Sequence, residues 1–237
     1  MVLKRRTLLT GFLPAFAGGK PADVRYTELA HPKTHFQPPA YGSRQDWERR
    51  RLHLRRQVLG AAGLLPFPVR NPVQAQVVRQ TRHEEYATEA VLLETLPGYF
   101  VGGTIYRPLD TTVRRPAVLI PHGHWKRGRV ENIPSYSVPA LGINLALQGY
   151  VAFAWDMAGY NDTRQTPHDF GGWREQLWGF SPMGLQLWNS IRALDYVISR
   201  PDVAPQRIGC TGASGGATQT ILLSAVDQRI TCSAPVN

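Results

Sequence analysis

Five residues, Gly212-Ala213-Ser214-Gly215-Gly216, set a serine between glycines two positions away on each side. The spacing suits a nucleophile. A serine hydroxyl reacts slowly until a neighbouring base takes its proton. A sharp turn that holds the hydroxyl outward must close around small residues, and Gly212, Gly215 and Gly216 leave that room. The run "RIGCT" before the motif reads as a strand, and "GATQTILLSAV" after the serine reads as a helix. A helix starting there offers unpaired amide hydrogens, that of Gly215 among them. Such donors stabilise the oxyanion that forms during acyl transfer.

A second donor belongs to "PHGHW", Pro121 to Trp125, which follows another apolar run. Gly123 lets the backbone come close. The amide of His124 is therefore the candidate partner of Gly215 N–H, a role that asks nothing of the imidazole. The plainer alternative has His122 and His124 satisfying hydrogen bonds within their loop.

The base is harder to find. All seven histidines, His31, His35, His53, His83, His122, His124 and His168, precede Ser214. After it the chain offers one acid, Asp227, and no histidine. Asp227 begins the link into the next strand, which makes it a poor partner. His168, in a loop rich in aromatic residues, is the upstream histidine that could serve.

Residues 43–64 read as a helix, with Ser43 as its cap and Gly63 near its end. The runs "VVRQTRHEEY", "EAVLLETL" and "YFVGGTIYRP" read as antiparallel strands, the last two joined by a turn at Pro97-Gly98. Ala117–Ile120 and "YVAFAWD" show no alternation, so each is expected to be buried on both faces, as in a parallel sheet. "PALGINLALQGY" reads as a helix ended by Gly149. Ser181-Pro182 opens another, with Leu187, Trp188, Ile191, Leu194 and Ile198 on one face, stopped by Arg200-Pro201. Strands and helices then alternate to "ITCSAPV", which predicts a parallel α/β sheet. Asp156, Tyr160 and Asn161 fall just after a strand, where they face substrate or anchor the loop; Trp125 joins Asp156 and Tyr160 as a candidate for the substrate loops.

From about residue 40 onward the chain resembles the α/β-hydrolase superfamily, and within it the acetyl xylan esterase-like and dienelactone-hydrolase-like branch. The resemblance is carried by "PAVLIPHGHW", "GYVAFAWDMAGYND" and "ALDYVISRPDVAPQRIGCTGASGGATQT". It implies ester hydrolysis through an acyl-enzyme on Ser214. It also implies an acid and then a histidine after the serine. Their absence predicts a chain that stops early, short of the last strands, and that is poorly active by itself. The expected organisation is an export signal over 1–17, an N-terminal arm and helix over 18–75, and an incomplete α/β-hydrolase catalytic domain over 76–237.

Two other classes compete. "TGASGGAT", Thr211 to Thr218, resembles the cofactor loop of short-chain dehydrogenases, but Thr218 replaces the last glycine and too little chain follows for a dinucleotide domain. Trp173, Trp178 and Phe180 could stack on sugars in a module that binds carbohydrate without cutting it. A P-loop is excluded because no Lys-Ser/Thr pair follows the glycines.

The formal charge is +10, and removing Lys4, Arg5 and Arg6 with the first 17 residues leaves +7. Much of it lies in "WERRRLHLRRQ", Trp47 to Gln57, read as the solvated face of a helix. No nucleic-acid motif accompanies the charge. The paired arginines before "TLLTGFLPAFA" resemble a twin-arginine export signal, too short and Pro-interrupted for a membrane span. The expected partner is a small-molecule or carbohydrate ester, outside the cytoplasm, with no cofactor, no metal, no nucleic acid and no stable membrane span. Cys210 and Cys232 are expected as free thiols.

Overall fold

The two apolar runs without alternation form the middle of a seven-stranded sheet. The computed structural model describes His35, Gln37 and residues 39–236. In chain order the elements are α1 (Arg44–Ala61), β1 (Gln74–Arg82), β2 (Tyr86–Leu96), β3 (Tyr99–Pro108), β4 (Arg115–Pro121), β5 (Asn132–Ile133), β6 (Tyr136–Ser137), α2 (Val138–Leu147), β7 (Val151–Trp155), α3 (Trp173–Leu177), α4 (Pro182–Ser199), β8 (Val203–Ala213), α5 (Gly215–Val226) and β9 (Cys232–Val236). The large sheet runs β1-β2-β3-β7-β4-β8-β9, and β5 pairs with β6 in a separate small hairpin. β1, β2 and β3 form an antiparallel meander, and β3 meets β7 antiparallel. From β7 through β4 and β8 to β9 every pairing is parallel, as the crossover helices require.

Every residue of β7 is buried. Neighbouring strands flank it on both edges and helices cover both faces, so no polar side chain is tolerated there. β2 alternates instead, burying Ala87, Glu89, Val91, Leu93 and Thr95. One face of the sheet packs Leu119, Phe153 and Ile105 against Leu187, Trp188 and Ile191 of α4 and Leu223 of α5. The other packs Ile120, Ala152 and Ala154 against Val138 and Ala146 of α2.

Two local starts obey side-chain capping. Ser43 accepts the amide hydrogen of Asp46 at 3.1 Å, and Ser181 accepts that of Gly184 at 3.0 Å. Leu59, Ala62 and Leu64 then enter the main core, so the compact unit begins at Ser43. α1 is thus packed within the same compact unit as the sheet.

α4 differs from its sequence pattern. Its apolar residues recur on one face, yet Gln186, Asn189, Ser190, Arg192 and Asp195 on the other side are buried too. The segment after α1 covers that side: Arg192 donates to Asn71 O at 2.7 Å, and Phe67 lies beside the Trp188 ring. Burial there favours pairing, though Gln186 Oε1, Asn189 Nδ2 and Arg192 Nε have no partner among the described residues. Thr95 donates to Asn189 at 2.7 Å, Ser190 donates to Gln219 of α5 at 3.1 Å, and Arg192 pairs with Asp195 at 2.6 Å.

No helix among the described residues is long and apolar enough to cross a membrane. Cys210 is a buried free thiol, pushed up to about 12 by desolvation, and Cys232 is an exposed one. The export signal expected over residues 1–17 lies outside the described residues.

Candidate active site

Ser214 occupies the junction of β8 and α5 with φ 55° and ψ −120°, a conformation that L residues rarely adopt. The residue is exposed, and its Oγ has no hydrogen-bond partner among the described residues. Its amide donates to Val236 O of β9 at 2.9 Å, and its carbonyl accepts from Thr218 N–H at 3.1 Å. Strain of this kind costs about 1–3 kcal/mol and persists only where surroundings enforce it. Ser214→Gly is therefore expected to unfold at a higher temperature than Ser214→Ala, by about 2–4 °C, because only glycine relaxes at this φ and ψ. Thermal melts of the two variants measure it; equal midpoints would show that the turn stores no strain.

The loop after β4 lies directly on this turn. A side chain at Gly216 would place its first carbon 2.1 Å from Pro121 O, closer than any real contact. At Gly215 the same atom would lie 2.5 Å from Cε1 of His124. The absence of side chains thus lets β4's loop and the start of α5 touch. Gly215 N–H, at the first position of α5, has no partner within its helix. His124 N–H has no acceptor among the described residues. Two amides without partners among the described residues therefore lie on the two elements that meet at this turn.

The histidines divide by role. His122 is fully buried: its Nδ1 lies 2.7 Å from Gly123 O, and its Nε2 accepts from Met157 N–H at 3.0 Å. That network assigns the proton to Nδ1 and leaves the ring neutral. Desolvation pushes its pKa down to about 4. His122 thus ties the β4 loop to the β7 loop and does no acid–base work at neutral pH. The folded ring resists a proton that the unfolded chain accepts near pH 6.5, so stability is expected to fall by up to about 3 kcal/mol as pH drops from about 6.5 to about 4. Urea unfolding at pH 7 and pH 4.5 should show this loss reduced in His122→Gln. An unchanged pH dependence in that variant sinks the assignment.

His124 is exposed, its ring against Gly215 and 5.0 Å edge-to-face from that of His168. Desolvation first, then the His168 charge, holds its pKa below the usual histidine range. His168 is half-buried, with Nδ1 2.9 Å from Ala158 O, and its ring meets Tyr160 edge-on at 5.1 Å. Sequence spacing gave no sign that His168 would stand beside His124.

The remaining candidates separate. Tyr160 is half-buried against His122 and His168. Trp125 stacks on Tyr136 at 3.9 Å and lines the loop beside the turn. Asp156, in contrast, is fully buried. It pairs with Arg129, accepts from Asn161 Nδ2 at 2.7 Å and from Asp162 N–H at 3.1 Å. Burial raises its pKa, and Arg129 offsets this only in part. Its carboxylate is spent on holding the loop together. Arg129, which also reaches Asp162 at 2.5 Å, carries no motif and was missed; only the buried carboxylate reveals it. Asp227 ends α5, about 18 Å from Ser214 by helix length, and is held by Arg229 at 2.7 Å. Trp173 and Trp178 project into solvent, 72% and 89% exposed. No cluster of three or more metal-ligating side chains occurs among the described residues.

The sheet order, the parallel crossovers and the strained serine between β8 and α5 define the class: this is the α/β-hydrolase fold. No family model matches the chain. It is similar to a Bacillus subtilis (strain 168) protein named as a hydrolase, YtaP, with 32% identity over 191 residues, 76% of this chain and 62% of that one. Among solved structures it is similar to methylesterase BT1017, at TM-score 0.68 and 29% identity, over 82% of this chain and 42% of that one. A Bacteroides fragilis structure described as an acetyl xylan esterase (BF1801) shares the fold at TM-score 0.67 and 16% identity, over 80% of this chain and 53% of that one. The chain thus spans less than two thirds of the length of each relative.

Proposed function

We propose that this chain carries the nucleophile half of a serine hydrolase that cleaves carboxylic esters, acetyl esters of carbohydrate among them, through an acyl-enzyme. The observation that carries the proposal is Ser214 itself: strained, exposed, and flanked by free amides at the start of α5. The similarity to proteins named as esterases supports the ester as substrate.

In this reading a base takes the Ser214 Oγ proton as the oxygen attacks the ester carbonyl. The resulting oxyanion accepts hydrogen bonds from Gly215 N–H and His124 N–H. The alcohol leaves with that proton, and water then frees the acid by the same steps. Asp227 is too far away and His122 is locked. Neither therefore serves as the acid or base in this reading, while the paired rings of His124 and His168 stand nearest the turn. The same reading makes residues 1–17 an export signal, so the protein acts outside the cytoplasm.

Fluorophosphonate labelling of the protein expressed through its natural stop codon tests this. Mass mapping should place the phosphonyl group on Ser214. A folded protein that stays unlabelled, as a dehydrogenase or a binding-only module would, overturns it.

A further inference from the structure

α1 holds six arginines and only two carboxylates, Asp46 and Glu48, in 18 residues. Leu59 is buried and Arg51, Arg55 and Val58 are half-buried, which fixes the inward side. With 3.6 residues per turn, Arg49, Arg50 and Arg56 fall on the outward side, and all three are exposed. Arg50 and Arg56 have no carboxylate partner among the described residues, and Arg49 meets only the exposed Asp46. The helix therefore presents a row of cations that its own fold leaves unneutralised.

We propose that this face of α1 binds an anionic polysaccharide, its uronate carboxylates pairing with the guanidinium forks. Arginine suits the task because its planar fork matches a carboxylate with two parallel hydrogen bonds. The proposal rests on the esterase reading in one respect. α1 packs against α5, and its Arg51 meets Gln228 just past the end of α5, about a helix length from Ser214, a separation that a polymer spans. A membrane surface fits less well. The exposed apolar residues Leu52 and Leu54 lie on opposite flanks of the arginine row, so no single apolar face is available to enter lipid.

Affinity electrophoresis of the 237-residue chain tests this, with gels containing polygalacturonate, neutral xylan or duplex DNA, and flotation with vesicles containing phosphatidylserine as a fourth arm. Polygalacturonate is expected to retard the chain, about tenfold less strongly at 300 mM than at 50 mM salt. Arg49→Gln/Arg50→Gln/Arg56→Gln should weaken retardation about tenfold, each exposed charge contributing a small share. The corresponding triple lysine variant keeps the charge and should lose only part of the binding. Circular dichroism melts check that the glutamine variant is folded, as its exposed positions imply. Undiminished retardation of that variant overturns the proposal, as does equal affinity for DNA or vesicles. Binding is read without turnover, so a failure of Ser214 labelling leaves this result standing, and the converse also holds.

Discussion

Ser214→Ala, in the protein expressed from its complete reading frame, is expected to lower kcat for an activated acetyl ester by about 10⁴- to 10⁶-fold if Ser214 is the proposed nucleophile. KM should change little, because the hydroxyl contributes to the reacting bond and not to the surroundings that hold the ester. What remains is the stabilisation proposed for Gly215 N–H and His124 N–H, which would persist without the nucleophile. The variant should also melt close to wild type, since alanine bears the same backbone strain and the Oγ has no partner to lose. Steady-state kinetics and a thermal melt on one preparation decide the matter. A loss of less than about a hundredfold with folding intact would place the chemistry on another group.

The second large effect belongs to a buried cation that holds a loop together. Arg129→Met is expected to cost about 3–5 kcal/mol of stability at pH 7, because it leaves the Asp156 carboxylate in the interior without its cation. The loss should shrink as pH falls toward 5. Asp156 already has a pKa raised above its ordinary value, so the folded state binds its proton more readily than the unfolded chain. Stability therefore falls as pH rises through that range, and removing Arg129 widens it. Urea unfolding at pH 5 and pH 7 measures both features. Arg129→Met/Asp156→Asn should recover much of the loss, since neither partner is then left charged and alone. A cost below about 1 kcal/mol, or one independent of pH, contradicts the anchoring role.

What the sequence revealed follows from which forces are local. Ala117–Ile120 and Val151–Trp155 lacked alternation, and that fact alone places them where both faces are covered. Ser43 and Ser181 announced their helices because capping acts over three residues. The glycines around Ser214 announced the turn because steric exclusion there is local as well. Asp156 gave no such sign: whether a carboxylate after a strand meets solvent or Arg129 depends on a contact 27 residues away. Burial of α4 on its polar side depended on the chain before β1 folding over it, through contacts some 120 residues apart. His122 and His124 are two residues apart and read alike, yet one faces the interior and the other solvent.

The hydrogen bond from Ser214 N–H to Val236 O joins the proposed nucleophile to the outermost strand of the sheet. That amide can exchange with deuterium only when β9 swings away. Its exchange rate is thus a direct clock for fraying at the margin of the sheet, read at the strained turn itself.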